Sequence, residues 1–397
     1  DNQPLKPKHS LPVSIAGIEE GDYAMIMGYP GSTDRYLSSW GVKEAVEVEQ
    51  PARVKIRRIK LDIMEEEMNK SQKTRIQYAS KHARVSNYWK YFLGQSQQLV
   101  KNKVQDKKEQ IEENFTEWYK AEKLEKKYAE ALPLIENSIT ESSKYTIPNV
   151  YFQEAVVGSE VMLFMLRNLS ERSPLYKALK SGEGVQEAKD DLFKKAEEYY
   201  KDYNATIDQN TLAAVLKLYK EDVQKDFHPE LLTTLDAKYK GDFTNFSAKY
   251  FKKTPFKSLD LFKSWLYNDK LSIKSLEKDV VYQLQNEFIN IYRSKVMIPK
   301  STFDSDYKKG MRLFVDGLQR MGMNKASDAN STMRFTYGNV LPYNPADAVN
   351  YDFYTTLEGV MEKEVITDNK NHEFYVPQKL KDLFVAKDYG AYARKED

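Results

Sequence analysis

"AMIMGYPGSTDRY", residues 24–36, decides how the rest of the chain is read. An apolar run ends at Gly28-Tyr29-Pro30-Gly31, which reads as a strand followed by a tight turn. The glycines there serve backbone geometry. Upstream, "LPVSIAG" has the same strand character, and downstream "RYLSSWGVKEAVEVE" continues the alternation. Short strands split by Gly and Pro suggest the edge of a barrel or sandwich.

At Gln50-Pro51 the period changes. Pro51 suits a first helical turn. Ile56, Ile59, Ile63 and Met64 recur at helical spacing, and the run continues to about Ser143 with Gly94 as its single glycine. Divided at Gly94, the first half predicts a helix of about 40 residues, roughly 60 Å long. The apolar spacing is too irregular for sustained heptads, so an antiparallel helical bundle is expected. Further helical patterns follow in "VYFQEAVVGSEVMLFMLRNL", "EGVQEAKDDLFKKAEEYYKDY", "ATIDQNTLAAVLKLYKEDV", "KSLDLFKSWLYNDK" and "LSIKSLEKDVVYQLQNEFINIYRSKV", the last with Ser272 as N-cap. "FDSDYKKGMRLFVDGLQRMG" closes the zone near Gly322. From Ser331 alternation returns in "STMRFTYGNVLPYNP" and "NYDFYTTLEGVM". One helix is expected after Pro377, and "ARKED" ends the chain without a pattern. This order, β then helical then β, is that of a helical insertion between two halves of a β domain. The expected divisions are 1–48, 49–326 and 327–397.

The bulk numbers fit a folded chain of about two domains. Among 397 residues are 28 Tyr and 18 Phe, too many for a disordered composition. Net charge is only +2 on 30% charged residues, a mixed-sign surface rather than a nucleic-acid footprint. The absence of cysteine excludes disulfides, thiolate catalysis and Cys-ligated zinc. No apolar run approaches the roughly 18 residues of a membrane span. The polar, Pro-rich "DNQPLKPKHSLPV" has no signal-peptide pattern and suits a mature start or a piece of a longer protein.

Catalytic patterns are mostly missing. His9, His82, His228 and His372 form no metal-ligand spacing and are expected at the surface or as caps, and no metal or cofactor is expected. There is no nucleophile elbow, and "SGEG" at 181–184 is a loop rather than a dinucleotide fingerprint. The acids of "EEE", residues 65–67, fan around a helix and do not converge. One polar aromatic cluster stands out, "ARVSNYWKYF" at 83–92. Its Asn87, near Trp89, either bonds within the bundle or offers its carbonyl to a ligand's ammonium group.

Four stretches together carry a family resemblance: "PLKPKHSLPVSIAGIEEGDYAMIMGYPGSTDRY", "YASKHARVSNYWK", "STMRFTYGNVLPYNPADAVNYDFYTTLEGVMEKE" and "FYVPQKLKDLFVAKDYG". The chain resembles the dipeptidyl-peptidase 7 and 11 family of serine exopeptidases. The resemblance implies a mainly α chain, with a large helical bundle domain inserted into a trypsin-like (chymotrypsin-fold) double β-barrel. Residues 1–48 would end the first barrel, 49–326 would cover the active site, and 327–397 would start the second barrel. It implies that the triad His and Asp lie upstream and the Ser downstream. The chain would then be an internal fragment with no catalytic residue and no activity of its own. Asn87 matches the family's asparagine that holds the substrate's free α-amino group. Ser32 departs from the basic residue expected there. The implied partner is an oligopeptide with a free N-terminus, and the implied whole enzyme is a periplasmic or secreted homodimer. The alternative is a non-catalytic helical binding or scaffold protein.

Overall fold

A computed structural model describes residues 4, 6–323, 326–368, 370 and 372–393. The first residues of the polar start and most of "ARKED" lie outside the described residues. Two compact units emerge, one of residues 1–34 with 328–397 and one of residues 35–327.

The first unit is built on an antiparallel pair, β1 (Tyr23–Gly28) and β2 (Arg334–Asn339), in the register Tyr23↔Asn339 to Gly28↔Arg334. Strands from opposite ends of the sequence thus share one ladder. A second ribbon pairs β3 (Tyr343–Ala346) with β4 (Val349–Tyr351). Both ribbons are two-stranded. Their apolar side chains stay in water: Ile26 is 69% and Tyr337 72% exposed.

Several expectations for the β segments need correction. "LPVSIAG" forms no strand. Gly28 to Gly31 is not a turn: neither glycine has positive φ, and the carbonyl of Pro30 accepts from Ser331 N at 2.9 Å. The segment runs on beside its partner instead of reversing. "NYDFYTTLEGVM" gives only the three residues of β4 before a helix at Leu357–Glu362.

The second unit is helical. Its order is α1 (Ser39–Glu44), α2 (Gln50–Lys70), α3 (Gln72–Lys101), α4 (Val104–Ala121), α5 (Glu125–Tyr128), α6 (Ala131–Ser142), α7 (Thr146–Tyr151), α8 (Glu160–Asn168), α9 (Pro174–Ser181), α10 (Val185–Lys201) and α11 (Ala205–Asp222). There follow α12 (Glu230–Tyr239), α13 (Phe243–Lys253), α14 (Leu259–Leu266), α15 (Ile273–Leu276), α16 (Val280–Ile291), α17 (Ile298–Ser301) and α18 (Asp304–Arg320).

Residues 39–49, expected as strand, are helical. Ala45–Glu49 is a π-helical stretch that joins α1 to α2 without a break in αR geometry. The cause lies at the start of α1. Ser38 caps it, and the buried Glu112 of α4 accepts from Ser39 N at 2.7 Å and Ser39 Oγ at 2.6 Å. A carboxylate at a helix N-terminus satisfies orphan N–H groups, and this one comes from a remote helix.

The expected long helix also breaks, but not at Gly94, which lies inside α3. The break is Ser71, extended at φ −150° and ψ 123°, whose hydroxyl accepts from Thr74 N. There the chain folds back. Gln50 pairs with Gln95, and Glu65 with His82, so α2 and α3 run antiparallel. α3 ends at Lys101, and Lys103, in left-handed geometry, leads into α4.

The main core gathers α7 to α16 around Phe262, Tyr282 and Phe288. A second core joins α4, α6 and α18. Phe115 sits at its centre, edge-on to Phe314 at 5.1 Å and Tyr119 at 5.4 Å. α18 approaches closely because Gly310 and Gly317 face α6 and α4: a Cβ on Gly317 would lie 2.2 Å from the Phe115 ring. Ser272 is an N-cap as expected, and Ser275 completes a capping box, but the helix it starts is only Ile273–Leu276 and α16 begins afresh after Asp279.

Candidate functional site

Asn87 lies near the middle of α3, exposed, and its side chain makes no hydrogen bond among the described residues. Helical spacing lines it up with Ala83 and Tyr91 on the outer face. Trp89 is about 200° further round the helix. It faces α2, with the Arg58 guanidinium 5.1 Å from its ring centre. The aromatics flanking Asn87 are therefore Tyr88 and Tyr91, both about half exposed, and not Trp89.

The inner side of the hairpin holds a charge network. Arg57 lies 5.2 Å from the Tyr88 ring centre, and Arg53 lies 5.3 Å from that of Phe92. Both arginines reach one oxygen of Glu154, at 2.7 Å from Arg53 and 2.6 Å from Arg57. Glu154 is buried in a π-helical stretch after α7. The apolar pattern of residues 150–169 predicts one helix there. The chain instead breaks at Gly158 and Ser159, and α8 begins afresh at Glu160.

That new N-terminus needs acceptors. Asp208 of α11, 1% exposed, supplies them. Its oxygens accept from Glu160 N at 2.8 Å, Val161 N at 2.7 Å, Ser159 Oγ at 3.1 Å and Tyr203 O–H at 3.1 Å. Burial, with Glu160 adding to it, still raises the Asp208 carboxyl above the ordinary carboxylate range. Glu160 itself accepts from Tyr78 O–H and from Lys81 Nζ, both at 2.6 Å.

Arg57, Lys81, Tyr88, Glu154, Glu160 and Asp208 line a cavity of about 590 Å³ among α2, α3, α8, α10 and α11. Lys60 reaches into it, and burial lowers its ammonium pKa. Asn87 is not among the lining residues.

The histidines form no catalytic group. His9 is exposed. His372 Nδ1 accepts from Phe374 N, a local cap. The other two are structural and half-buried rather than surface groups: His82 bonds Glu65 at 3.0 Å, and His228 bonds the Val223 carbonyl at 2.8 Å. Among the described residues no three acidic or imidazole side chains converge as metal ligands, and no helix is long and apolar enough to cross a membrane.

The residues of the network gave no motif. The signal was local: Glu154 is a lone carboxylate in the apolar run "YFQEAVV". A charge at such a place is buried only with partners.

Residues 1–397 match the family model described as Peptidase S46. The chain is 35% identical to dipeptidyl-peptidase 7 of Porphyromonas gingivalis over 402 residues, covering 99% of this chain and 54% of that protein. It is 34% identical to the Asp/Glu-specific dipeptidyl-peptidase of Flavobacterium psychrophilum over 404 residues, with 99% and 54% covered. A crystal structure of Porphyromonas endodontalis DPP11 in complex with the dipeptide Arg-Glu superposes with a TM-score of 0.84 at 29% identity, over 98% of this chain and 55% of that one. The chain belongs to the peptidase S46 family. It spans about half the length of the curated relatives it matches.

Proposed function

We propose that this chain is part of a serine dipeptidyl aminopeptidase that releases dipeptides from oligopeptides with a free N-terminus. One observation carries the reading: the family match over residues 1–397, with relatives that bear dipeptidyl-peptidase names. In this reading the nucleophile and its base belong to the flanking barrel sequence of the whole enzyme. Residues 1–34 and 328–397 contribute strands to that double barrel. Their exposed apolar ribbons support it, because two-stranded ribbons with bare faces need more strands to bury them. The whole enzyme is taken to be a periplasmic or secreted homodimer, and the piece alone to be inactive.

Asn87 meets the substrate's α-ammonium group. It is exposed and unbonded, on a helix that holds it rigidly. Its carbonyl oxygen can accept a charge-assisted hydrogen bond. Fixing the amine at a set distance from the nucleophile counts two residues and places the second peptide bond for attack. Relatives with the two different names match at nearly equal identity, so the reading stops at dipeptide release and names no P1 preference.

The test is kinetics on the full-length enzyme, with a dipeptidyl substrate and its N-acetylated twin. The free amine should be required. Equal turnover of both substrates would overturn the reading.

A further inference from the structure

We propose that the cavity between α2, α3, α8, α10 and α11 is a binding site for a small organic anion, an apolar body ending in a phosphate or carboxylate, whose acid group is held by Lys60, Arg84, Arg167 and Lys195.

The argument is an accounting of charge and hydrogen bonds around one space. Four acids line the cavity, and all are taken. Glu154 is held by two arginines, Glu160 by Tyr78 and Lys81, Asp208 by the start of α8, and Asp202 by Lys81. Six cations line it. Arg57 and Lys81 have acidic partners. Lys60, Arg84, Arg167 and Lys195 have neither an acidic partner nor a hydrogen bond among the described residues. Two further lining groups are orphaned: the hydroxyl of Tyr199 and Nε of Arg57 are buried without a hydrogen-bond partner. Cations outnumber acids at this site by two. Native interiors leave few such groups unmet, and a ligand with several acceptor oxygens meets them together.

Lys60 is the inner member. Its ammonium sits directly over Gly158, where an added Cβ would lie 2.7 Å from Nζ. The nearer clash of such a Cβ is with the Glu154 carbonyl oxygen at 2.1 Å, so the backbone itself already requires the glycine. Burial is the main cause of the lowered ammonium pKa, opposed by Glu154, Glu160 and Asp208 and reinforced by Arg57. Arg84, Arg167 and Lys195 are exposed and stand at the opening.

The rest of the lining is mostly apolar, with Asn168 and Thr211 as its polar members. Met64, Val85, Leu163, Phe164 and Ile207 make the walls, with Tyr88 beside them. A bare inorganic anion would leave those walls unfilled. The volume is in the range of sites for small organic ligands. The same excess of cations disfavours an ammonium group, so the substrate amine of the proposed peptidase is not the occupant.

The experiment is calorimetric titration of the full-length protein with four probes: phenyl phosphate, 3-phenylpropionate, inorganic phosphate and benzyl alcohol. At least one of the two aromatic acids should bind one to one, about tenfold or more tighter than inorganic phosphate, and the alcohol should not bind. Which acid binds better identifies the headgroup. Lys60→Met should weaken binding about tenfold or more. Arg84→Gln, on the exposed rim, should weaken binding in a protein that folds normally. No binding by either aromatic acid overturns the proposal. So does binding that both variants leave unchanged, or inorganic phosphate binding as tightly as the aromatic acids.

Discussion

Thr33 donates a 2.7 Å hydrogen bond to Asp328, a residue 295 positions later in the chain. Thr33 Oγ1 also accepts from Ala329 N at 2.9 Å. One hydroxyl therefore ties the two chain segments together at the point where the first unit is interrupted. Thr33→Val keeps the shape and removes both bonds. The expected cost is about 1–2 kcal/mol. It should appear in urea unfolding of the full-length protein and as faster hydrogen exchange at the Ser331 amide. Unchanged exchange there would show that the clip holds nothing.

Two glycines in helices should respond in opposite directions. Gly94 has open space around it, so Gly94→Ala should stabilise by up to about 1 kcal/mol through helix propensity. Gly317→Ala gains the same propensity but drives its methyl to 2.2 Å from a Phe115 ring locked between Phe314, Tyr119 and Tyr128. Overpacking costs about 1–3 kcal/mol, more where neighbours cannot move, so a net loss is expected. Thermal melts of the two variants decide the sign of each.

Glu154 is 7% exposed and carries two arginines. Arg53 retains Glu49 at 2.8 Å if Glu154 is removed, whereas Arg57 has no second acid. Glu154→Ala should cost about 3 kcal/mol. Adding Arg57→Met should recover part of that loss in a double-mutant cycle. Additive losses would mean that the two side chains are not coupled.

Asp316 gives the fold an acid limb. Lys127 first, then Tyr128, hold its carboxyl down to about 2, below the ordinary carboxylate range. A carboxyl depressed in the folded state adds stability above its unfolded pKa. That stability is lost as pH falls from about 4 through about 2. The side chain is 36% exposed, so solvent screening keeps the contribution below about 1 kcal/mol. Asp316→Asn should flatten this part of the stability curve and leave its part near neutral pH parallel to wild type. A parallel acid limb in the variant would be the contrary result.

Asn87→Ala in the full-length enzyme should lower kcat/KM on free-amine substrates about thirtyfold, or roughly 2 kcal/mol, without lowering the melting temperature. A wild-type value would remove Asn87 from amine recognition.

What the sequence revealed depended on how local each cause was. The Ser272 N-cap, the α18 end at Gly322 and the strand at Tyr23–Gly28 rest on neighbours within a few residues, and they were readable. The helical nature of residues 39–49 was not, because a carboxylate from α4 fixes the start of α1. Nor was the split between α7 and α8, which depends on Asp208 from α11. The extended path of Gly28 to Gly31 follows from a partner strand some three hundred residues away, while local Gly and Pro chemistry argued for a turn. The same holds at the sites. Asn87 could be singled out from its own stretch. The cavity could not, because its cations come from four helices and only folding brings them together.

The helical unit has a further property as a piece of architecture. Tyr36 donates its hydroxyl hydrogen to the carbonyl of Ala326, so this unit's two chain ends are tied side by side. Adjacent ends make a cassette. A short peptide joining residue 35 to residue 327 would close the chain into a ring, and the left-handed link at Lys103 offers a place to reopen it. A circular permutant cut there keeps every helix intact, which makes residues 35–327 a portable module for grafting between scaffolds.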